Sequence, residues 1–277
     1  MAVSFIKMHG LGNDFVVLDA RTGALPAIDQ TLASALAHRH TGIGCDQLIV
    51  LEPSGVADLR MRIFNADGTE SPACGNATRA VGLLEGRPAT IETLAGILRT
   101  EPADAGIAVD MGEPQFDWQA IPLAYAMDTL ALPVGWEHLD NPVAVNVGNP
   151  HAIFFVPDCD RVDLARLGPL IETDPLFPER VNVNVATIES RQAIRLRVWE
   201  RGTGLTLACG TGACATAIGA MRRGLVDREV RVTLPGGMLT IGWGTDNRIT
   251  MTGPAVEAFR GTFEPERFRA AEPGNGG

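Results

Sequence analysis

The chain has 277 residues, of which 45% are apolar, and its formal net charge at pH 7 is −10. This length predicts one large domain or two smaller ones. The acidic charge argues against a nucleic-acid binder or a binder of anionic membranes, because both partners require a basic face. No apolar run approaches the roughly 20 residues of a membrane helix, so we expect no membrane partner.

The first predicted element is a strand at residues 1–9, which lacks the basic start and the long apolar stretch of a signal peptide. We therefore expect a cytoplasmic protein. That strand carries the only lysine of the chain, Lys7, with no glycine-rich phosphate loop beside it. Pyridoxal phosphate requires a lysine, so we expect no such cofactor. The next predicted element is an exposed helix at Asp29–His40, capped by its first residue.

An internal repeat follows. Residues 59–75 align without a gap on residues 194–210, with five identical positions that include Ala-Cys-Gly at 73–75 and 208–210. Each copy begins with arginines that alternate with apolar residues, which is typical of a half-buried strand. Helices of small and apolar residues are predicted after each Cys-Gly, at Ala77–Glu85 and Thr211–Arg223. Such helices are buried, so each half reads as a mostly β domain around a central helix.

The repeat predicts two domains. We assign residues 1–118 to the first, completed by a C-terminal strand at 258–269, and residues 119–257 to the second. The last residues, 270–277, show no periodic pattern and are predicted to be disordered.

Cys74 and Cys209 occupy equivalent positions in the two copies, each at the start of a predicted helix. Two similar domains that face each other place equivalent residues on either side of a shared cleft. A helix N-terminus lowers the pKa of a thiol, so we expect a thiolate and a thiol that act as base and acid. One removes the α-proton of an amino acid and the other returns a proton to the opposite face. The N–H groups of the first helical turns stabilise the substrate carboxylate as charge develops on it.

Eight segments then carry a family resemblance. They are MHGLGNDF (8–15), GIGCDQ (42–47), MRIFNADG (61–68), ACGN (73–76), NPH (149–151), VNVN (181–184), WERG (199–202) and ACGTGA (208–213). With these segments in this order, the chain resembles the diaminopimelate epimerase family over nearly its whole length. The resemblance implies an α+β fold of two domains related by a pseudo-twofold axis, each a mixed or mostly antiparallel β-sheet wrapped around a central helix.

The resemblance also implies the activity, which is interconversion of LL- and meso-diaminopimelate for lysine and peptidoglycan biosynthesis. It implies no cofactor, no metal and a homodimer. Cys74 and Cys209 are the acid/base pair by this resemblance. The residues that it assigns to substrate binding are Asn13, Gln47, Asn65, Gly75, Asn76, Asn149, Asn182, Glu200, Arg201, Gly210 and Thr211.

These assignments are chemically reasonable, because diaminopimelate carries an amino-acid group at each end. Arg201 can bind a carboxylate with two parallel hydrogen bonds, and Glu200 can pair with an ammonium. The alternative for this adjacent pair is a solvated surface ion pair. His151 either helps to move a proton at a cysteine or is a satisfied core histidine. Cys45 is a buried residue near Gln47 whose oxidation would be a complication.

Two other functions stay open at this point. A two-cysteine proline or hydroxyproline racemase would share the inversion chemistry, although a cyclic substrate has no second amino-acid group for Glu200 and Arg201 to hold. A non-catalytic amino-acid-binding or redox-sensing relative would keep the fold and use the cysteines otherwise.

Overall fold

A computed structural model describes residues 2–21, 23 and 25–268, and the tail predicted at 270–277 lies outside this range. The strands in chain order are β1 (Val3–Gly10), β2 (Asn13–Asp19), β3 (Gln47–Glu52), β4 (Leu59–Asn65), β5 (Glu70–Ser71), β6 (Ala89–Thr93), β7 (Gly96–Ala103), β8 (Gly106–Asp110), β9 (Gly135–Trp136), β10 (Leu139–Asp140), β11 (Val143–Asn146), β12 (Pro150–Phe155), β13 (Asn182–Ser190), β14 (Ala193–Glu200), β15 (Gly204–Thr206), β16 (Glu229–Leu234), β17 (Gly237–Trp243), β18 (Ile249–Gly253) and β19 (Val256–Phe263). The α-helices are α1 (Gln30–Ala37), α2 (Gly75–Glu85), α3 (Leu164–Glu172) and α4 (Gly210–Arg222), and short 3-10 turns lie at Cys159–Arg161 and Pro265–Arg267.

The chain divides into two compact units. The first runs to Ile107 and resumes at Ala255, and the second is Ala108–Pro254. This boundary precedes the one expected between residues 118 and 119. The difference arises because the intervening segment bonds to the second unit: the Met111 N–H donates to the Ile249 carbonyl at 2.9 Å.

Both units contain a mixed sheet with the same succession of pairings. In the first, β1/β2 is antiparallel, β2/β3 parallel, β3/β4 antiparallel and β4/β6 parallel. In the second, β11/β12 is antiparallel, β12/β13 parallel, β13/β14 antiparallel and β14/β16 parallel. The sequence repeat therefore corresponds to a repeated topology, in which the β4–α2–β6 segment matches the β14–α4–β16 segment. The predicted α+β class is confirmed.

The C-terminal strand belongs to the first unit. β19 pairs antiparallel with β1, with Phe263 opposite Val3. The sequence placed this strand at 258–269, whereas the structure ends it at Phe263 because a 3-10 turn begins at Pro265.

The two central helices are buried because small residues let the strands approach them. In α4 every residue from Gly212 to Ala220 is buried. A Cβ atom on Gly219 would stand 3.2 Å from the Val143 side chain on β11, so a larger residue here would require that side chain to shift. Helix α2 stops at Gly86, whose φ of 63° is the left-handed conformation that glycine adopts without strain. No helix in the described part of the chain is long and apolar enough to cross a membrane.

Helix α1 is shorter and less exposed than the sequence predicts. It ends at Ala37 rather than His40, and its inner face, which includes Leu32 and Leu36, is buried. The chain turns back after the helix, and the Ile43 and Gly44 N–H groups both donate to the Leu36 carbonyl. These bonds from the following turn take the place of a further helical turn.

The N-cap of α1 generates a stability prediction. The Asp29 carboxylate accepts the Leu32 N–H at 2.8 Å, so Asp29→Ala is expected to lower the free energy of unfolding by about 1 kcal/mol. Urea unfolding followed by circular dichroism measures this loss. Thr31→Ala, a change at an exposed position on the same helix, is the control and should not destabilise the protein. Equal unfolding midpoints for the two variants would contradict the capping role.

Candidate active site

Cys74 and Cys209 are the N-cap residues of α2 and α4. Both have extended backbone conformations, and each sulfur accepts a hydrogen bond from the N–H three residues later. The distances are 3.5 Å from the Ala77 nitrogen to Cys74 Sγ and 3.3 Å from the Gly212 nitrogen to Cys209 Sγ. Each thiol therefore lies at the positive, N-terminal end of the central helix of its own unit.

Cys74 lies among side-chain amides of the first unit. Its sulfur is 3.8 Å from Asn13 Oδ1, which also accepts a hydrogen bond from Asn76 Nδ2 at 3.1 Å. The Asn13 Nδ2 group donates to Asp46 at 3.0 Å. Because a carboxylate only accepts, Asp46 fixes which end of the Asn13 amide faces the cysteine.

Two further amides meet where β3 begins and β4 ends. Gln47 and Asn65 are opposite each other in the antiparallel register, and Gln47 Nε2 donates to Asn65 Oδ1 at 3.1 Å. β2 lies next to β3 in parallel, with Phe15 opposite Gln47. The structure thus brings Asn13, Gln47 and Asn65 to the same edge of one sheet.

Cys209 has a different environment from Cys74, since it is 4% exposed. Burial raises the pKa of its thiol well above the usual value, and the neighbouring Glu200 carboxylate raises it further. Hydrogen bonds from Thr211 and the Gly212 N–H act in the opposite direction but are smaller. The Gly212 N–H at the helix N-terminus does lower the pKa of the Cys209 thiol, as expected, but the loss of solvation outweighs it and the net shift is upward.

Glu200 and Arg201 do not form a surface ion pair. Glu200 accepts a hydrogen bond from Thr206 Oγ1 at 2.5 Å and lies beside the Cys209 thiol. Burial raises the pKa of its carboxyl group. The Arg201 side chain is exposed and donates to the Glu179 carbonyl at 2.8 Å. The two side chains therefore have separate partners.

Asn182 is buried, and both ends of its amide are already engaged. Its Oδ1 accepts the Arg201 N–H at 2.9 Å, and its Nδ2 donates to the Pro150 carbonyl at 2.8 Å. In this structure Asn182 holds the backbone of Arg201 in place.

His151 is completely buried between two amides. Its Nδ1 lies 3.2 Å from Asn184 Oδ1, and its Nε2 lies 2.9 Å from Asn149 Oδ1. Burial lowers the pKa of the imidazole to about 4; the hydrogen bond to Asn184 acts in the opposite direction, and the nearby Arg201 charge adds to the lowering. His151 is therefore a neutral ring at pH 7.

The remaining cysteines are buried. Cys45 is 1% exposed and burial raises the pKa of its thiol to about 12, which leaves almost no reactive thiolate near neutral pH. Cys159 and Cys214 are also buried. Within residues 2–21, 23 and 25–268, no group of three or more histidine, cysteine and acidic side chains is arranged to hold a metal ion.

Three residues of the site had no assigned role in the sequence. Asp46 is adjacent to Gln47, and Asn184 is two residues from Asn182; both lie inside segments that carry the family resemblance. Their proximity to assigned positions was therefore an available signal. Glu172 had none, because it reaches the site from α3. Its carboxylate accepts hydrogen bonds from Trp199 Nε1 at 2.7 Å and from the Gly202 N–H at 2.9 Å, on both sides of Glu200 and Arg201.

These features define an α+β protein of two topologically equivalent units, each with a cysteine at the N-cap of its central helix. Solved structures share this fold. A phenazine biosynthesis protein of the PhzF family from Bacillus anthracis matches with a TM-score of 0.70 and 20% identity, over 95% of this chain and 99% of the other. A hydroxyproline epimerase from Agrobacterium vitis matches with a TM-score of 0.66 and 16% identity, over 95% and 91%.

The sequence comparison identifies the family. The model described as Diaminopimelate epimerase matches residues 5–117 and 143–257. A protein named diaminopimelate epimerase from Erythrobacter litoralis is 66% identical over 264 residues, which cover 95% of this chain and 98% of that protein. The chain belongs to the diaminopimelate epimerase family.

The charge beside Cys209 generates a pH prediction. Glu200→Gln removes a negative charge that raises the pKa of the Cys209 thiol, so this pKa should fall. Peptide-resolved mass spectrometry of iodoacetamide labelling across a pH series measures it, and the Cys209 labelling curve should move to lower pH. Glu229→Gln, which removes an exposed carboxylate of the same unit, should leave the curve in place. A shift to higher pH in the Glu200 variant would contradict the electrostatic account.

Proposed function

We propose that the chain interconverts LL- and meso-diaminopimelate by a two-base mechanism that needs neither cofactor nor metal. The observation that carries this proposal is the equivalent placement of Cys74 and Cys209 at the N-caps of the two central helices. Membership of the diaminopimelate epimerase family supports the substrate.

In the proposed reaction the two sulfurs lie on opposite sides of the substrate α-carbon. A thiolate takes the α-proton, so an S–H bond forms as the C–H bond breaks, and the electron pair moves into the carboxylate. The opposite thiol then donates its proton to the other face of the carbon. The stereocentre is inverted, and the two cysteines have exchanged protonation states.

The first turns of the two helices supply the electrostatic help that this reaction needs. The N–H groups at Gly75–Asn76 and Gly210–Thr211 are proposed to bind the reacting carboxylate. Because charge accumulates on that carboxylate as the proton leaves, fixed donors bind the transition state more strongly than the ground state.

The different surroundings of the two sulfurs suggest which one holds the proton at rest. Burial and the Glu200 charge favour the thiol form of Cys209. We assign Cys209 as the acid and Cys74 as the base in one direction, with the roles reversed in the other. The pair titrates as a coupled unit once both sulfurs face one substrate.

Recognition of the distant end distinguishes diaminopimelate from a cyclic amino acid. Arg201 is exposed and its guanidinium can take a carboxylate, while the amides of Asn65 and Gln47 offer both donors and acceptors. A proline or hydroxyproline substrate would leave these groups unused, so the open-chain substrate is preferred.

A cytoplasmic homodimer completes the proposal. β19 is exposed along most of its length, and Val256 and Phe259 are 43% and 52% exposed. Apolar side chains on an exposed strand are typical of a surface that pairs with another chain. This observation supports a dimer interface that includes β19.

Replacement of single cysteines tests the proposed function. Cys74→Ala and Cys209→Ala should each reduce turnover of diaminopimelate by at least about a thousandfold, because each removes one of the two proton-transfer groups. Cys45→Ala, at a buried cysteine of the first unit, should retain turnover. A coupled assay of meso-isomer formation measures all three.

The non-catalytic alternative predicts a different result. An amino-acid-binding or redox-sensing protein would show no turnover in the reduced wild-type form, and Cys74→Ala would leave its affinity for diaminopimelate unchanged. Full turnover by Cys74→Ala would contradict the two-base mechanism.

A further inference from the structure

Asn184 of β13 uses every hydrogen-bonding group of its side chain, although no step of the proposed reaction requires it. It is completely buried. Its Nδ2 donates to the Gly212 carbonyl at 2.9 Å and to Thr216 Oγ1 at 2.8 Å, both on α4. Its Oδ1 faces His151 Nδ1 at 3.2 Å. Asn184 therefore connects the helix that carries Cys209 to the buried histidine.

These contacts fix the orientation of the Asn184 amide. The Gly212 carbonyl can only accept a hydrogen bond, so a reversed amide would bury two oxygen lone pairs against each other. Nδ2 must face α4, and Oδ1 must face the imidazole. Since Oδ1 is also only an acceptor, His151 Nδ1 must carry a proton.

His151 has only one ring proton to place. It is enclosed in the protein, both of its partners are uncharged amides, and the nearest charge that acts on it is the cation Arg201. Burial and the Arg201 charge favour the neutral imidazole, and the hydrogen bond to Asn184, which acts in the opposite direction, is a smaller effect than burial. With the proton on Nδ1, the Nε2 atom is an acceptor.

An acceptor at Nε2 determines how the neighbouring amide lies. Nε2 is 2.9 Å from Asn149 Oδ1, and two acceptors do not bond. A half-turn of this amide exchanges two groups of nearly equal size and brings Nδ2 to the ring. Asn149 is half-buried, and after the half-turn its carbonyl oxygen points away from His151.

We propose that Asn184 is a positioning residue that holds His151 in the Nδ1–H tautomer and thereby directs the carbonyl oxygen of Asn149 toward the substrate, to accept a hydrogen bond from an ammonium group. The role of Asn149 in binding rests on the proposed function. The proton on Nδ1 rests on the contacts among Asn184, His151 and α4, and the unprotonated Nε2 rests on the burial of the ring.

The tautomer can be measured without any assay of activity. In protein labelled with 15N-histidine, two-bond nitrogen–proton correlations distinguish a protonated from an unprotonated ring nitrogen, and loss of signals in His151→Gln assigns the residue. At pH 7.5 we expect a protonated Nδ1 and an unprotonated Nε2 in wild-type protein. A protonated Nε2, with Nδ1 bare or also protonated, would overturn the proposal.

Two matched variants test the consequence for binding. Asn184→Leu keeps the approximate size but removes the acceptor, so the His151 tautomer should change and KM for diaminopimelate should rise about tenfold, more than kcat falls. Thr216→Val removes another partner of Asn184 on the same buried helix and leaves the contact with His151. It should keep the wild-type tautomer and KM.

The NMR measurement and the kinetic comparison distinguish failure of the positioning role from failure of the proposed function. An unchanged KM in Asn184→Leu, or an equal rise in Thr216→Val, would overturn the positioning role. If wild-type protein shows the Nδ1–H tautomer but does not turn over diaminopimelate, the proposed function fails while the tautomer assignment stands.

Discussion

The hydrogen bond from the first helical turn to a cysteine sulfur is the constraint on which both units depend. A sulfur atom in the N-cap position satisfies a backbone donor that would otherwise be unpaired, and it is held at the positive end of the helix. The residue that donates must be small. A Cβ atom on Gly212 would lie 3.2 Å from Cys209 Sγ and 3.0 Å from Val198, and the equivalent position in α2 is Ala77. Capping thus fixes each sulfur before any substrate is bound.

Equivalent capping does not give equivalent thiols. Cys74 is half-buried, and the amide of Asn13 beside it is held in one orientation by Asp46. Cys209 is almost completely buried next to the Glu200 carboxylate, and its burial and that negative charge together raise the pKa of its thiol. A repeated backbone therefore carries two thiols in different environments. In the proposed mechanism this difference allows one sulfur to act as acid while the other acts as base, although duplicated local structure alone would make them alike.

Much of the fold followed from local patterns in the sequence. The alternating strand before each Cys-Gly and the small-residue helix after it predicted the repeated β–α–β segment, because side-chain periodicity and helix stops are local properties. The features that the sequence did not predict depend on contacts that its periodic patterns do not show. Helix α1 ends early because Ile43 and Gly44 bond back to it, and the pKa of Cys209 rises because the folded chain excludes water. The hydrogen bond between the Asn184 amide and the His151 imidazole is likewise a tertiary contact.

The central claim is that two different groups exchange protons with the two faces of one carbon, and isotope distribution at early times tests it most directly. LL-diaminopimelate is incubated with reduced enzyme in heavy water, and both isomers are analysed before a tenth of the substrate has reacted. Two bases predict meso product with deuterium at the inverted α-carbon, and remaining LL substrate with almost none, because the group that removes the proton differs from the one that delivers the deuteron. Equal deuterium in recovered substrate and product, or product without deuterium, would contradict the account.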